Sequence, residues 1–223
     1  LGLAAGVRLT SNDMLHKGDW ITVKSVDANG IVEDMSLTTV KVRNFDNTIV
    51  TISPATLVNG SFQNWIGMQK SGGRRVKRIV YFDFRSIRLV DETLKQTLLA
   101  KHFATEDSFK LKETLQKAIE KDIQEGKDIE DLKNPAALAP TNLQLYRKFM
   151  EKYLRQRPEV NTELTLMVRH MEATQCGLPI EFYFFIKDKV WVNYEHILAD
   201  IMEHAYALAN EFGLKIYEQY PEQ

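Results

Sequence analysis

Leu1-Gly2-Leu3-Ala4-Ala5-Gly6-Val7-Arg8-Leu9 opens the chain, and Gly18-Asp19-Trp20-Ile21 follows after a polar stretch. Thr38-Thr39-Val40-Lys41-Val42-Arg43 and Ile49-Val50-Thr51-Ile52-Ser53-Pro54 come next, closed by Leu57-Val58-Asn59-Gly60. The first segment, with two Gly and two Ala among its small residues, suits close packing between helices. Residues 18 to 66 read as β. Val23 and Val26 fall in an early strand. Asp27-Ala28-Asn29-Gly30 supplies a hairpin turn, because Asn-Gly tolerates the positive φ angles of tight hairpins. Ile31-Val32 begins the next strand. Val40 and Val42 alternate with Thr39, Lys41 and Arg43, so one face is buried and the other wet. Asp46-Asn47 turns the chain into Thr48 to Ile52, and Pro54 ends that strand because it has no N–H to donate. Several short strands within about fifty residues point to a small barrel.

Outward from this core, Lys70-Ser71-Gly72-Gly73-Arg74-Arg75 reads as a flexible, basic domain boundary. Beyond it, Ile79 to Phe84 is a nearly continuous apolar strand and Thr93 to Phe103 a helix. Ser108 to Gln124 is a second helix with Leu111, Leu115, Ala118, Ile119 and Ile123 on its buried face and Gly126 past its end. Residues 127 to 140 are charged, then rich in Ala and Pro, as expected of a surface excursion. Thr141 or Asn142 caps a third helix, which buries Leu145, Tyr146, Phe149, Tyr153 and Leu154 and stops at Pro158. Leu164, Leu166 and Val168 alternate as a strand, and Ile180 to Ile186 is its partner. Asn193 to Phe212 is the clearest helix, with Tyr194, Ile197, Leu198, Ile201, Met202, Ala205, Leu208, Ala209 and Phe212 at i, i+3, i+4, i+7 spacing. Leu214 to Tyr217 forms a final edge strand. Strand–helix–strand–strand–helix–strand is a ferredoxin-like order, here with a helical insertion at about 104–160. The fold class is therefore α+β: a small Sm-like or SH3-like β-barrel followed by a ferredoxin-like α/β domain.

The composition is that of an ordinary globular chain: 223 residues, 44% apolar, 26% charged, formal net charge −1. A nucleic-acid binder would be clearly basic, so no nucleic-acid partner is expected. The single Cys176 excludes an internal disulfide and a multi-cysteine zinc site. No apolar run reaches the roughly 18 residues needed to span a bilayer. His196, Asp200 and His204 share one face of the last helix at a spacing that a divalent metal could use. They fall opposite its apolar stripe, where polar residues belong anyway, so no metal is assigned. Cys176 has no positioned base, and paired carboxylates such as Glu130-Asp131 sit in a charged surface run. No nucleophile elbow, phosphate loop or dinucleotide fingerprint is present. Catalytic residues: none; cofactor: none; the chain is not read as an enzyme. Lys70, Arg74, Arg75, Lys77 and Arg78 form a local basic cluster without interleaved aromatics, read as a solubilising linker.

The order of small-residue segment, Asp19-Trp20-Ile21 and the Val40 to Ile52 strands resembles the small-conductance mechanosensitive channel family (MscS-type). In that resemblance residues 1–17 are the end of a pore-lining helix and its connector, 18–70 the β-barrel domain, and 71–223 the α/β domain. Leu3, Ala4, Ala5 and Gly6 become the pore-helix remnant. The family commonly carries Pro-Asn after the Ile-Val-x-Ile strand, whereas here Pro54 precedes Ala55. The implied function is the cytoplasmic vestibule of a tension-gated channel in a bacterial inner membrane, tied to osmotic-downshock protection. The implied assembly is a homo-oligomer, a heptamer in the full channel, held in the membrane by at least two apolar helices ahead of Leu1. The reading open beside it is an Sm-like RNA-binding or ferredoxin-like ligand-binding module.

Overall fold

Alternation places Val40 and Val42, both fully buried, on one face of β3 (Val40–Asn44), with Lys41 and Arg43 outside. In the computed structural model, which describes residues 2–110, 113–126 and 139–219, the chain divides into two units, Leu1–Ser71 and Gly72–Gln223. The first begins with α1 (Gly2–Ser11). β1 (Trp20–Val23), β2 (Ala28–Met35), β3, β4 (Ile49–Ile52) and β5 (Gln63–Asn64) form an antiparallel sheet in the order β4-β3-β2-β1-β5. Its core among the described residues contains Leu9, Leu15, Ile21, Val23, Ala28, Val32, Val40, Val42, Ile52 and Leu57, with no aromatic side chain.

Three local expectations for this unit fail. The β1–β2 turn is not Asp27 to Gly30 but the 3-10 turn Lys24–Val26, closed by Asp27 at a φ of 51°. Ala28, Asn29 and Gly30 already pair with Val23, Thr22 and Ile21, so Val26 is exposed in a turn rather than buried in a strand. Gly30 is needed inside the sheet, since a Cβ there would sit 1.9 Å from the Arg43 carbonyl oxygen. Leu57 to Asn59 is not extended. It belongs to α2 (Pro54–Asn59), where the Ser53 side chain caps the Thr56 N–H and Pro54 takes the first turn, a position that needs no N–H. A short α3 (Ile66–Lys70) ends the unit.

In the second unit the basic cluster does not lie in a linker. Arg74, Arg75, Lys77 and Arg78 are part of β6 (Arg74–Phe82), which starts directly after Gly73. β6 pairs antiparallel with β8 (Leu178–Ile186), and β8 with β7 (Met167–His170). Leu164 and Leu166 precede β7 rather than forming it. The expected last strand is reduced to one antiparallel bridge, Phe82 to Ile216, flanked by Tyr217 N–H donating to the Tyr81 carbonyl and Asp83 N–H to the Lys215 carbonyl. The lateral order is thus 216, β6, β8, β7, as the ferredoxin-like pattern requires. Helices α4 (Glu92–Ala100), α6 (Asn142–Gln156) and α7 (Trp191–Ala209) bury their apolar faces with one side of this sheet in a single core.

Thr141 caps α6 through the Gln144 N–H. Asn142 is instead a buried tie: its amide donates to the carbonyls of Ser86 (2.9 Å) and Phe212 (3.0 Å), and its oxygen accepts from Arg88 N–H (3.0 Å). The stripe expected on the last helix is present, with Tyr194, Leu198, Ile201, Met202, Ala205 and Ala209 buried and Phe212 in the 3-10 turn that follows. Tyr146 crosses from α6 to donate to the Ala205 carbonyl, and burial drives its phenol far above the usual range. The insertion differs from expectation. In α5 (Glu113–Gln124) Ala118 is exposed, Ile119 half-buried and Ile123 52% exposed, so the helix does not bury that face in the core. Leu111 and residues 127–138, with the Glu130-Asp131 pair, lie outside the described residues, as does Leu1.

Candidate functional site

The helix singled out in the sequence has two unlike faces. Ala5, Gly6 and Leu9 turn into the first unit, while Leu3 (60% exposed), Ala4 and Val7 (51% exposed) turn away from it. The four selected residues are therefore split: Ala5 and Gly6 inward, Leu3 and Ala4 outward. The inward pair explains its own small size. A Cβ on Gly6 would lie 2.1 Å from the Leu37 carbonyl oxygen, so the helix backbone rests against the β2–β3 turn. That turn is itself hydrogen-bonded, with Ser36 N–H donating to the Thr39 carbonyl at 2.8 Å and the Ser36 hydroxyl accepting from the N–H groups of Thr38 and Thr39.

The exit from α1 is held by a polar corner. Asp13 adopts a φ of 56° just past the helix. Buried Asp19 accepts from the His16 N–H (3.0 Å) and from the Asn64 side-chain amide (2.8 Å). Asn64 also accepts from the Ile66 N–H, so one side chain ties the helix exit, β5 and α3. Sequence reasoning marked Asp19 but missed Asn64; an Asn two residues before a short helix carries no periodic signal. Beside this corner the Trp20 and Trp65 rings stack at 4.6 Å, and Phe45 meets Trp20 edge-on at 5.4 Å. Their indole N–H groups donate to Asn29 and Thr22, respectively.

In the second unit His196, Asp200 and His204 are all exposed on α7, and His204 Nδ1 lies 2.7 Å from the Asp200 carbonyl. Cys176 is exposed and unbonded to another cysteine. Arg74 does not project as a free linker charge: its guanidinium lies 4.3 Å from the Tyr194 ring, whose hydroxyl donates to the Arg75 carbonyl. One titratable group escaped the sequence reading. Glu181 sits fully buried in the middle of β8, held by Arg169 Nε at 2.6 Å and by Lys77 at 3.8 Å, with its second oxygen lacking a hydrogen-bond donor. Arg169, Lys77 and Glu181 thus form a charge cluster across β6, β8 and β7.

Residues 1–67, from α1 through the sheet to α3, match the family described as the mechanosensitive ion channel β-domain. Over those residues the chain is similar to the MscS-type mechanosensitive channel family. Solved structures agree with that fold across the whole chain. The cryo-EM structure of Arabidopsis thaliana MSL1 superposes with a TM-score of 0.61 at 10% identity, covering 98% of this chain and 58% of the other. The crystal structure of Helicobacter pylori MscS in its closed state gives 0.57 at 11% identity, covering 100% and 63%. The chain thus spans about three fifths of the length of the solved chains it matches. Among the described residues no helix is long and apolar enough to cross a membrane.

Proposed function

We propose that this chain is the cytoplasmic vestibule part of an MscS-type, tension-gated ion channel, with α1 as the end of the pore-lining helix. The carrying observation is α1 itself: a helix seated on the β-domain by Ala5, Gly6 and Leu9, with Leu3, Ala4 and Val7 left on the opposite face. A helix facing water alone would place polar residues along the whole of that side, whereas here Arg8, Thr10 and Ser11 appear only on its later turns. In the proposed channel that outward face meets the equivalent helices of other subunits around the pore, and the outward small residue Ala4 lets them approach closely. The assembly is a homo-oligomeric ring, a heptamer in the full channel, set in a bacterial inner membrane by segments outside this chain. Membrane tension favours the state of larger in-plane area, and the soluble units filter solutes before they reach the pore. The physiological role is protection against osmotic downshock.

The test is patch-clamp recording of the full-length protein under graded suction. Stretch-activated current is expected from the wild type, and Ala4→Asp or Leu3→Asp shifts its tension threshold. These two positions separate gating from folding, because neither side chain is buried in the β-domain, whereas Ala5 and Gly6 are. Absence of stretch-activated current in the wild type refutes the channel reading. Unchanged thresholds in both variants refute the assignment of Leu3 to Gly6 to the pore helix.

A further inference from the structure

A hollow of about 150 Å³ lies between the turn after α4 and the exposed flank of α6. It far exceeds the roughly 10–15 Å³ that one water requires. Lys148 and Lys152 border it from α6, one helical turn apart, and His102, Thr105 and Ser108 line it from the segment after α4. We propose that this hollow binds the phosphate group of a small soluble ligand, either free phosphate or a phosphomonoester. The proposal is independent of the channel reading.

Four observations carry it. Among the described residues, neither lysine has a carboxylate partner. The nearby acids are engaged elsewhere: Glu106 with Lys95, Asp107 with Lys110, and Glu151 with the Val168 N–H. Two like charges one turn apart destabilise a helix unless something neutralises them. Second, His102 holds a φ of 59° where α4 ends, with Phe103 and Ala104 N–H groups closing back onto the Leu98 carbonyl. Glycine or asparagine is the usual residue at such a helix end. This chain accepts the strain of a side chain there and so places an imidazole at the hollow. Third, the Thr105 and Ser108 hydroxyls lie 3.2 Å apart, held by the Thr105 N–H donating to Ser108 Oγ. Fourth, Phe103 and Phe149, 5.1 Å apart and edge-on, supply an apolar wall beside the charged groups.

The donor set selects the ligand. Two ammonium groups and the one hydroxyl proton left over from the Thr105–Ser108 hydrogen bond are point donors without the planar fork that arginine offers a carboxylate. They suit a tetrahedral oxyanion, and two positive charges match the −1.5 to −2 that a phosphomonoester typically carries near neutral pH. The apolar wall leaves room for an organic substituent.

The experiment is an amide-resolved NMR titration of the 223-residue chain with sodium phosphate, with phenyl phosphate, and with sodium chloride at matched ionic strength. Saturable shifts centred on residues 102–108 and 148–152 are expected from both phosphates and not from chloride. The Lys148→Gln/Lys152→Gln variant should bind about tenfold or more weakly, because it removes both positive charges that border the hollow. Both lysines are exposed, so an unchanged spectrum elsewhere certifies the variant's fold. Tighter binding of phenyl phosphate than of phosphate identifies an ester with an apolar group as the ligand class, and equal binding identifies free phosphate. Equal shifts in chloride, or equal binding by the double variant, overturns the proposal.

Discussion

The two units reach stability by different means. In the first, backbones touch. Gly6 lets α1 meet the β2–β3 turn, Gly30 lets β2 meet the Arg43 carbonyl, and the small core holds only aliphatic side chains among the described residues. In the second, side chains do the packing: Tyr146, Phe82, Phe182, Phe184 and Phe212 fill a larger core between three helices and a sheet. A backbone contact has no rotamer with which to yield, whereas a side-chain contact relaxes in part. The first unit should therefore fail abruptly at a few positions, and the second by degrees at many.

The sharpest test of that contrast is Gly30→Val. The new Cβ would fall 1.9 Å from a carbonyl oxygen, and we expect a loss of about 4 kcal/mol or more, read as lost hydrogen-exchange protection across β1 to β3 with β6 and β8 still protected. Near-normal protection of β2 would show that the sheet can open there, and the contrast would collapse. Next comes the place where the second unit is as unforgiving as the first. Arg169→Ala leaves the buried Glu181 carboxylate with only the more distant Lys77 beside it among the described residues and should cost about 3 kcal/mol in denaturant unfolding. The pair Arg169→Leu/Glu181→Leu should recover most of it, and no recovery would mean that the cost is not electrostatic.

Leu198→Ala or Ile201→Ala removes a buried aliphatic side chain from α7, at an expected cost of about 2–5 kcal/mol. Losses uniformly at the top of that range would mean that this core relaxes no better than a backbone contact. Thr141→Ala deletes the α6 cap and should cost about 1 kcal/mol, with Thr141→Asn nearly neutral by chemical denaturation. Smallest of all is Glu203→Ala on the exposed face of α7, expected within about 0.5 kcal/mol. An effect there equal to that at Leu198 would mean that the helix face is misassigned.

The same contrast governs what could be read in advance. The long stripe from Tyr194 to Phe212 was legible because burial against a sheet imposes a 3.6-residue period over many turns. The order of the second unit's elements followed from it. The first unit's turns were less legible. Asn29-Gly30 carries a turn signature, yet Gly30 is used for a close approach to Arg43, a residue distant in sequence. Ser53-Pro54-x-Thr56 held a helix start, hidden by the β-branched residues before it. Arg74 to Arg78 looked like a linker because charge was read without the apolar Val76 and Val80 that share the strand. Within the candidate site, Ala5 and Gly6 were found by size, but size alone could not say that they face the β-domain while Leu3 and Ala4 face away.

The seat of Gly6 on Leu37 also has a mechanical meaning. A helix resting on a neighbour through long side chains has compliance, since rotamers absorb the first ångström of travel. Here the bearing surface is peptide on peptide, and the turn beneath it is braced by the Ser36 hydrogen bonds to Thr38 and Thr39. At the other end, Asp19 and Asn64 pin the helix exit. An inward load on α1 therefore meets almost no free play, and the helix and the β2–β3 turn respond to it as one stiff lever.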